Sequence, residues 1–295
     1  MKQYFDLKGQ VAIVTGCSGG LGVQMAKALA NQGCNIVPVA RRLDKLEEIA
    51  KEISEEYGVE CLPLRLDITD TEAVDRVVKE AYDHFGRIDI LINNAGTGAV
   101  APAEDITDTD AVNEVVQKAY DHFGRIDILI NNAGTGAVAP AEDITDEQFG
   151  GEMEIDLFGT FKVARAVAKI AMIPAGYGRI INIASMYGLV GNKIAGSAPY
   201  HAAKGGVVNL TRALAAEWGK YGITVNSICP GYFYTPLTKE TLDSDFFQAN
   251  AKTMIPEERY GNEGELDTAA IFLASPASSY VTGVNLPVDG GYTCM

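Results

Sequence analysis

The stretch Val11-Ala12-Ile13-Val14-Thr15-Gly16-Cys17-Ser18-Gly19-Gly20-Leu21-Gly22 decides the fold. Five β-prone residues run without a break into a glycine-rich turn, and an amphipathic stretch follows. An apolar run of that length bounded by turn signals reads as a buried strand. The glycines allow a tight turn and close backbone approach, and the helix that opens there offers its first N–H groups to an anion. Gly16, Ser18, Gly20, Leu21 and Gly22 are therefore candidates for holding a dinucleotide pyrophosphate.

Further apolar runs at 35–39, 61–66, 88–92, 126–130, 180–184, 224–228 and 284–288 alternate with helix-like segments. In the latter, apolar residues recur at three- and four-residue spacing, as in Leu43, Leu46, Ile49, Ala50 and Ile53. Such alternation implies right-handed crossovers and a parallel sheet covered on both faces. The expected fold class is α/β, a doubly wound Rossmann-like parallel sheet forming a single domain over 1–295. A chain of 295 residues is compatible with one core.

Residues 81–108 recur unchanged at 119–146, an offset of 38. Just upstream, 69–80 and 107–118 agree at 7 of 12 positions. The differences are all polar, while Ala73, Val74, Val77 and Val78 return as Ala111, Val112, Val115 and Val116. Both versions keep one apolar helix face. Tandem copies thus span 69–106 and 107–144, each a helix–strand unit, too few for a solenoid. Slow drift would have altered exposed residues inside the identical stretch, so the pattern points to a recent or deliberate duplication. The expectation is that one copy is extruded from the core fold. Strand 126–130 should be the docked one, because its loop runs directly into the next helix. The alternative is that the fold needs the extra unit.

The net charge of −15 argues against a nucleic-acid partner, which would need a basic stripe. The first residues lack a signal-peptide core, and no uncharged apolar run reaches the ~18 residues of a membrane helix. Five scattered cysteines without CxxC spacing fit reduced thiols in a cytoplasm. His84, His122 and His201 form no ligand-spaced cluster, so no metal is expected.

Two motifs bear on chemistry beyond the glycine turn. After the second strand come Arg41 and Arg42, where a site for an unphosphorylated ribose would place an acid. Arginine there favours NADP(H), with NAD(H) still possible, because its guanidinium can fork onto a phosphate. In Tyr200-His201-Ala202-Ala203-Lys204, a helix brings the ammonium beside the phenol. A cation within ~4–6 Å favours the ionised form of such a group, which suits acid–base work. Ser185 ends a strand upstream, where its hydroxyl can meet a substrate oxygen.

Together with Leu66-Asp67-Ile68, the Asn-Asn-Ala-Gly tetrads at 93–96 and 131–134, Pro230-Gly231 with Thr235, and Val288-Asp289-Gly290-Gly291, these motifs resemble the short-chain dehydrogenase/reductase family over essentially the whole chain. Removing one 38-residue copy leaves 257, an ordinary length for that family. The resemblance implies catalytic roles for Ser185, which orients the substrate oxygen, Tyr200, which gives or takes the proton, and Lys204, which assists Tyr200 and holds the nicotinamide ribose. It also implies that Asp67 and Ile68 flank the adenine. Asn132, Ala133 and Gly134 (or Asn94, Ala95 and Gly96) would line the cofactor, and Pro230, Gly231, Phe233 and Thr235 would meet its nicotinamide end. Where the resemblance implies an asparagine before the serine, this chain has Asp156, a further catalytic candidate whose carboxylate would change the electrostatics of the proton relay.

The substrate expected is a small alcohol or ketone, with sugar-acid chemistry of the gluconate 5-dehydrogenase kind and 3-oxoacyl reduction both open. The segment 233–261, with Tyr234, Leu242, Phe247 and Met254, reads as a mobile lid. The family resemblance implies a homodimer or homotetramer through helices near 147–172 and 198–220. The rival reading is a dinucleotide-binding scaffold, or an engineered duplication, without turnover.

Overall fold

The computed structural model describes residues 6–67, 71–93, 104–136, 138–193, 196–235, 238–262 and 264–295. Its strands are β1 (Val11–Thr15), β2 (Asn35–Ala40), β3 (Leu64–Arg65), β4 (Ile90–Asn93), β5 (Ile128–Asn131), β6 (Gly178–Ile183), β7 (Ile223–Pro230) and β8 (Asn285–Val288). They form one sheet in the order β3-β2-β1-β4-β5-β6-β7-β8, and each neighbouring pair is parallel. The expected strands are all present. Only 61–66 is much shorter than its apolar run, because Pro63 lacks the N–H a ladder needs.

The helices are α1 (Gly20–Ala30), α2 (Leu43–Tyr57), α3 (Thr71–Phe85), α4 (Glu104–Thr107), α5 (Thr109–Phe123), α6 (Asp146–Met153), α7 (Thr160–Val167), α8 (Ile173–Ala175), α9 (Ala198–Trp218), α10 (Lys239–Leu242), α11 (Asp245–Met254) and α12 (Asp267–Ala274). Residues 146–175 are one continuous helical run, with π-helical turns at Glu154–Gly159 and Ala168–Met172. Met25 and Ala26 of α1, Leu46 and Ile53 of α2, and Leu273 of α12 cover one face of the sheet. Helices α3, α5, α7 and α9 cover the other, through Val77, Val116, Val163 and Leu214 among others.

Neither copy of the repeat is extruded. Strands β4 and β5 are its two versions, and they lie side by side, with Ile90 opposite Ile128 and Asn93 opposite Asn131. The expectation that one unit would leave the core is therefore wrong, and the reason is physical. Each unit contains a helix, so it supplies its own crossover to a parallel neighbour. Each also carries apolar surface for both layers. Ile90 and Ile92 are fully buried, and exposing each of them in an excursion would cost about 1.5–3 kcal/mol. Helix α5 then fits between α3 and α7, with Val112 and Val116 on one core and Val115 on the next.

Identical residues consequently meet different surroundings. Asp89 is buried, accepts the Val11 N–H at 2.9 Å and pairs with Arg87 at 2.5 Å. Its twin Asp127 pairs with Arg125 but is more open. Leu129 is fully buried beneath α5 and α7, whereas Leu91 is partly exposed. Leu129→Ala should cost about 3 kcal/mol in urea unfolding, and Leu91→Ala about half of that. Equal losses would contradict the placement of the two strands.

Candidate active site

Chemistry gathers at the carboxyl edge of the sheet, where the loops after β1, β2, β5, β6 and β7 emerge. Lys204, on the second turn of α9, is almost wholly buried. Its ammonium sits 3.0 Å from Asp156 Oδ2 and donates to the Ile183 carbonyl at 3.3 Å. It also stands 5.5 Å from the centre of the Tyr200 ring, one helical turn away. Burial alone would pull the Lys204 pKa down. The Asp156 carboxylate, with Tyr200 and Glu152 behind it, instead holds it above its usual 10.5.

Asp156 reaches this position because it lies on the π-helical turn 154–159, whose extra residue turns the carboxylate inward. Asp156 is fully buried, and its Oδ1 accepts the Thr135 N–H at 2.8 Å. Thr135 in turn donates its hydroxyl to Glu152. Gly134 must be small. A Cβ there would lie 3.1 Å from Lys204 Nζ and 3.2 Å from both Asp156 oxygens.

Ser185 follows β6 and caps the short turn Met186–Gly188, where its Oγ accepts the Tyr187 N–H at 3.1 Å. That contact leaves the hydroxyl proton to be donated elsewhere. The Tyr187 ring stacks on His201 of α9 at 4.7 Å, so the serine turn and the tyrosine helix meet. Beneath the site, Asn131 donates to Asn182 at 3.0 Å and Asn182 to Thr211 at 3.0 Å. This buried chain ties β5, β6 and α9 together, and each link is costly to leave unmade.

At the other end of the edge, Gly16 and Gly20 adopt φ of 65° and 62°. Helix α1 starts with neither a side-chain cap nor an acid in its first turn. Arg42 donates to Ser18 at 3.4 Å, which links the end of β2 to the glycine turn.

A family model described as "short chain dehydrogenase" matches residues 10–110, and one described as "Enoyl-(Acyl carrier protein) reductase" matches 97–293. The chain belongs to the short-chain dehydrogenase/reductase family. It is 35% identical to gluconate 5-dehydrogenase of Gluconobacter oxydans, over 98% of this chain and 96% of that protein. With 3-oxoacyl-[acyl-carrier-protein] reductase of Vibrio cholerae it shares 33% identity, over 97% and 98%. The crystal structure of a gluconate 5-dehydrogenase from Burkholderia cenocepacia in complex with NADP and tartrate superposes with a TM-score of 0.76 at 32% identity, covering 99% of this chain and 98% of that one. The two family matches overlap only at 97–110, inside the repeat.

Of the residues the sequence singles out, Ser185, Tyr200, Lys204 and Asp156 lie on elements that pack together. Gly134 lies against Lys204 and Asp156, Ala133 lies near Gly159 and Thr160, and Asn132 lines a small cavity with Ile183 and with Gln24 and Met25 of α1. Arg41, Arg42 and Asp67 are exposed at the far end of the edge. Ile68 and the alternative tetrad residues Asn94, Ala95 and Gly96 lie outside the described residues. The Phe233 ring is buried in the core against Gly261. Gly231 packs on Asp289, where a Cβ would come within 2.6 Å of Cα. Within 233–261 lie α10 and α11, and Leu242, Phe247, Ala251 and Ile255 form a small core of their own.

Sequence reading missed Thr135, Tyr187 and the Asn131–Asn182–Thr211 chain. It also passed over Tyr232 and Tyr292, whose rings flank Tyr187. Burial, together with the Tyr232 hydroxyl contact, drives the Tyr187 phenol far above its usual pKa. Only the position of Tyr187, two residues after Ser185, offered a signal.

Asp156→Asn would leave Lys204 to its burial, so the ammonium would lose its proton at lower pH. The alkaline limb of the kcat–pH profile should then move to lower pH. An unmoved limb would count against the pairing.

Proposed function

We propose that this chain transfers a hydride between NADP(H) and an alcohol/ketone pair, with a sugar acid or related polyol as the substrate. The observation that carries the reading is Lys204, a buried cation locked by Asp156 beside the Tyr200 phenol. Tyr200 gives its hydroxyl proton to the substrate oxygen during reduction and takes it back during oxidation. Lys204 stabilises the phenolate left behind, and Ser185 keeps its proton and donates a hydrogen bond to the same oxygen.

The residues present suit a phosphorylated dinucleotide. Gly16 and Gly20 open the turn, the uncapped start of α1 offers N–H groups to a pyrophosphate, and Arg42 with Arg41 suits a ribose phosphate. When bound, the nicotinamide supplies or accepts the hydride. Asp67, Asn132, Ala133, Gly134, Pro230, Gly231 and Thr235 are the remaining candidates to line it. The sugar-acid reading draws on the gluconate 5-dehydrogenases among the relatives and on the phenolic cluster of Tyr187, Tyr232 and Tyr292 beside Ser185. A second reading, dinucleotide binding with little turnover, is favoured by the strand interposed between β1 and β5.

Self-association through the 146–175 run and α9 is part of the proposal, and the exposed Phe149 and Phe158 support it. Light scattering should report a dimer or tetramer, whereas a monomer at micromolar concentration would refute it.

NADPH oxidation by micromolar protein, followed by absorbance against keto-sugar acids and simple ketones, tests the activity. Tyr200→Phe should lower turnover by about 10²–10⁴-fold. Arg42→Ala should weaken NADPH by about tenfold and leave NADH nearly unchanged. Turnover indifferent to Tyr200→Phe would sink the assignment.

A further inference from the structure

The repeat divides between two strands the pairing that one would do in a chain with a single copy. Next to the glycine turn stands the first copy's strand. Thr15 donates its hydroxyl to the Ile92 carbonyl at 3.4 Å, and β1 pairs directly with β4. Next to the proton-transfer residues stands the second copy's strand. There Asn131 bonds Asn182, the Thr135 N–H holds Asp156, and Gly134 lies against Lys204. With one copy, a single strand and its Asn-Asn-Ala-Gly turn would touch both β1 and β6.

Two strands therefore separate the glycine turn from Ser185 instead of one. At about 4.8 Å per strand, the lateral span from β1 to β6 grows from about 10 Å to about 14 Å. Each added strand also rotates the far half by about 20–25°. The register offers no compensation. Ala12, Ile90, Ile128 and Arg179 are level across the four strands, so the carboxyl ends are not sheared toward one another. Both halves are fixed. Helix α1 is held by Met25 and Ala26 in the core with Ile90 and Ile92, and Cys17 N–H is bonded to Val39. Lys204 is held by Asp156 and Ile183.

A dinucleotide has a limited covalent reach between its pyrophosphate and its nicotinamide, and hydride transfer needs the reacting atoms about 3–3.5 Å apart. We propose that the interposed strand uncouples the phosphate-binding half of the site from its proton-transfer half. A nucleotide seated on the glycine turn stops about one strand short of Tyr200. This chain accordingly grips NADP(H) by its adenine end and turns it over at least ~100-fold more slowly than the 257-residue form, a loss that misplacement by even 1 Å can produce. The inference rests on the dinucleotide reading above.

The test uses NADPH and 2′-phospho-ADP-ribose, which lacks the nicotinamide. In the intact chain the two should bind with Kd values within about threefold of each other. Arg42→Ala should weaken both, and Lys204→Met should weaken neither. Deleting residues 88–125 joins α3 to the second-copy strand and restores one unit. In that variant NADPH should gain at least ~10-fold over the fragment, and kcat should rise at least ~100-fold. The idea is overturned if the intact chain already binds NADPH ~10-fold more tightly than the fragment and loses that advantage in Lys204→Met. Equal turnover by intact and shortened chains would overturn it too. Failure of both ligands to bind either chain would remove the dinucleotide reading itself, and this inference with it.

Discussion

A parallel strand can join a sheet only through a crossover that returns the chain to the edge it left. Every loop at the carboxyl edge here exists because that condition is met in succession across the sheet. The glycine turn, Arg42, the residues 132–135, Ser185 and Gly231 share one side of the molecule because their strands all point the same way. Ligand sites in such sheets lie outside the carboxyl ends, where strand order reverses. In this chain the reversal falls between β1 and β4, so the added strand stands at the most consequential place in the sheet.

The part of that edge around Tyr200 is organised by a buried charge pair. Lys204 and Asp156 are both almost without solvent contact, and such a pair is tolerable only when further hydrogen bonds complete it. The Thr135 N–H and the Ile183 carbonyl do so. They come from the loop after β5 and the end of β6, so the sheet itself, through the Asn131–Asn182–Thr211 chain, holds the charges in place. The cost of burying two ions thereby couples fold stability to the geometry of the tyrosine.

Most of this was legible in the residues. Period and punctuation located β1, the glycine turn and the helical spacing of Tyr200 and Lys204, because these are local properties of the chain. Two kinds of information were not local. One was pairing at a distance, such as Thr135 with Asp156, which depends on the π-helical turn that aims the carboxylate. The other was the fate of the repeat. Treating 88–92 as surplus overlooked that α5 gives it a crossover and that Ile90, Leu91 and Ile92 offer apolar surface to both layers. The burial of the Phe233 ring was not legible for a related reason, since a motif position fixes the backbone without saying which way a ring turns.

The twin strands also pose a problem of order in time. Their sequences are the same, so either can satisfy the edge of β1 while the chain is collapsing, yet only the first leaves room for the second in its native place. On a ribosome the first copy emerges and docks before the second exists, and synthesis settles the competition. A chain refolding from denaturant has both copies at once. If the second wins, the first is stranded outside a nearly complete sheet and must wait for that sheet to open. The protein's history of synthesis thus carries information about its fold that its residues, read as a set, contain twice.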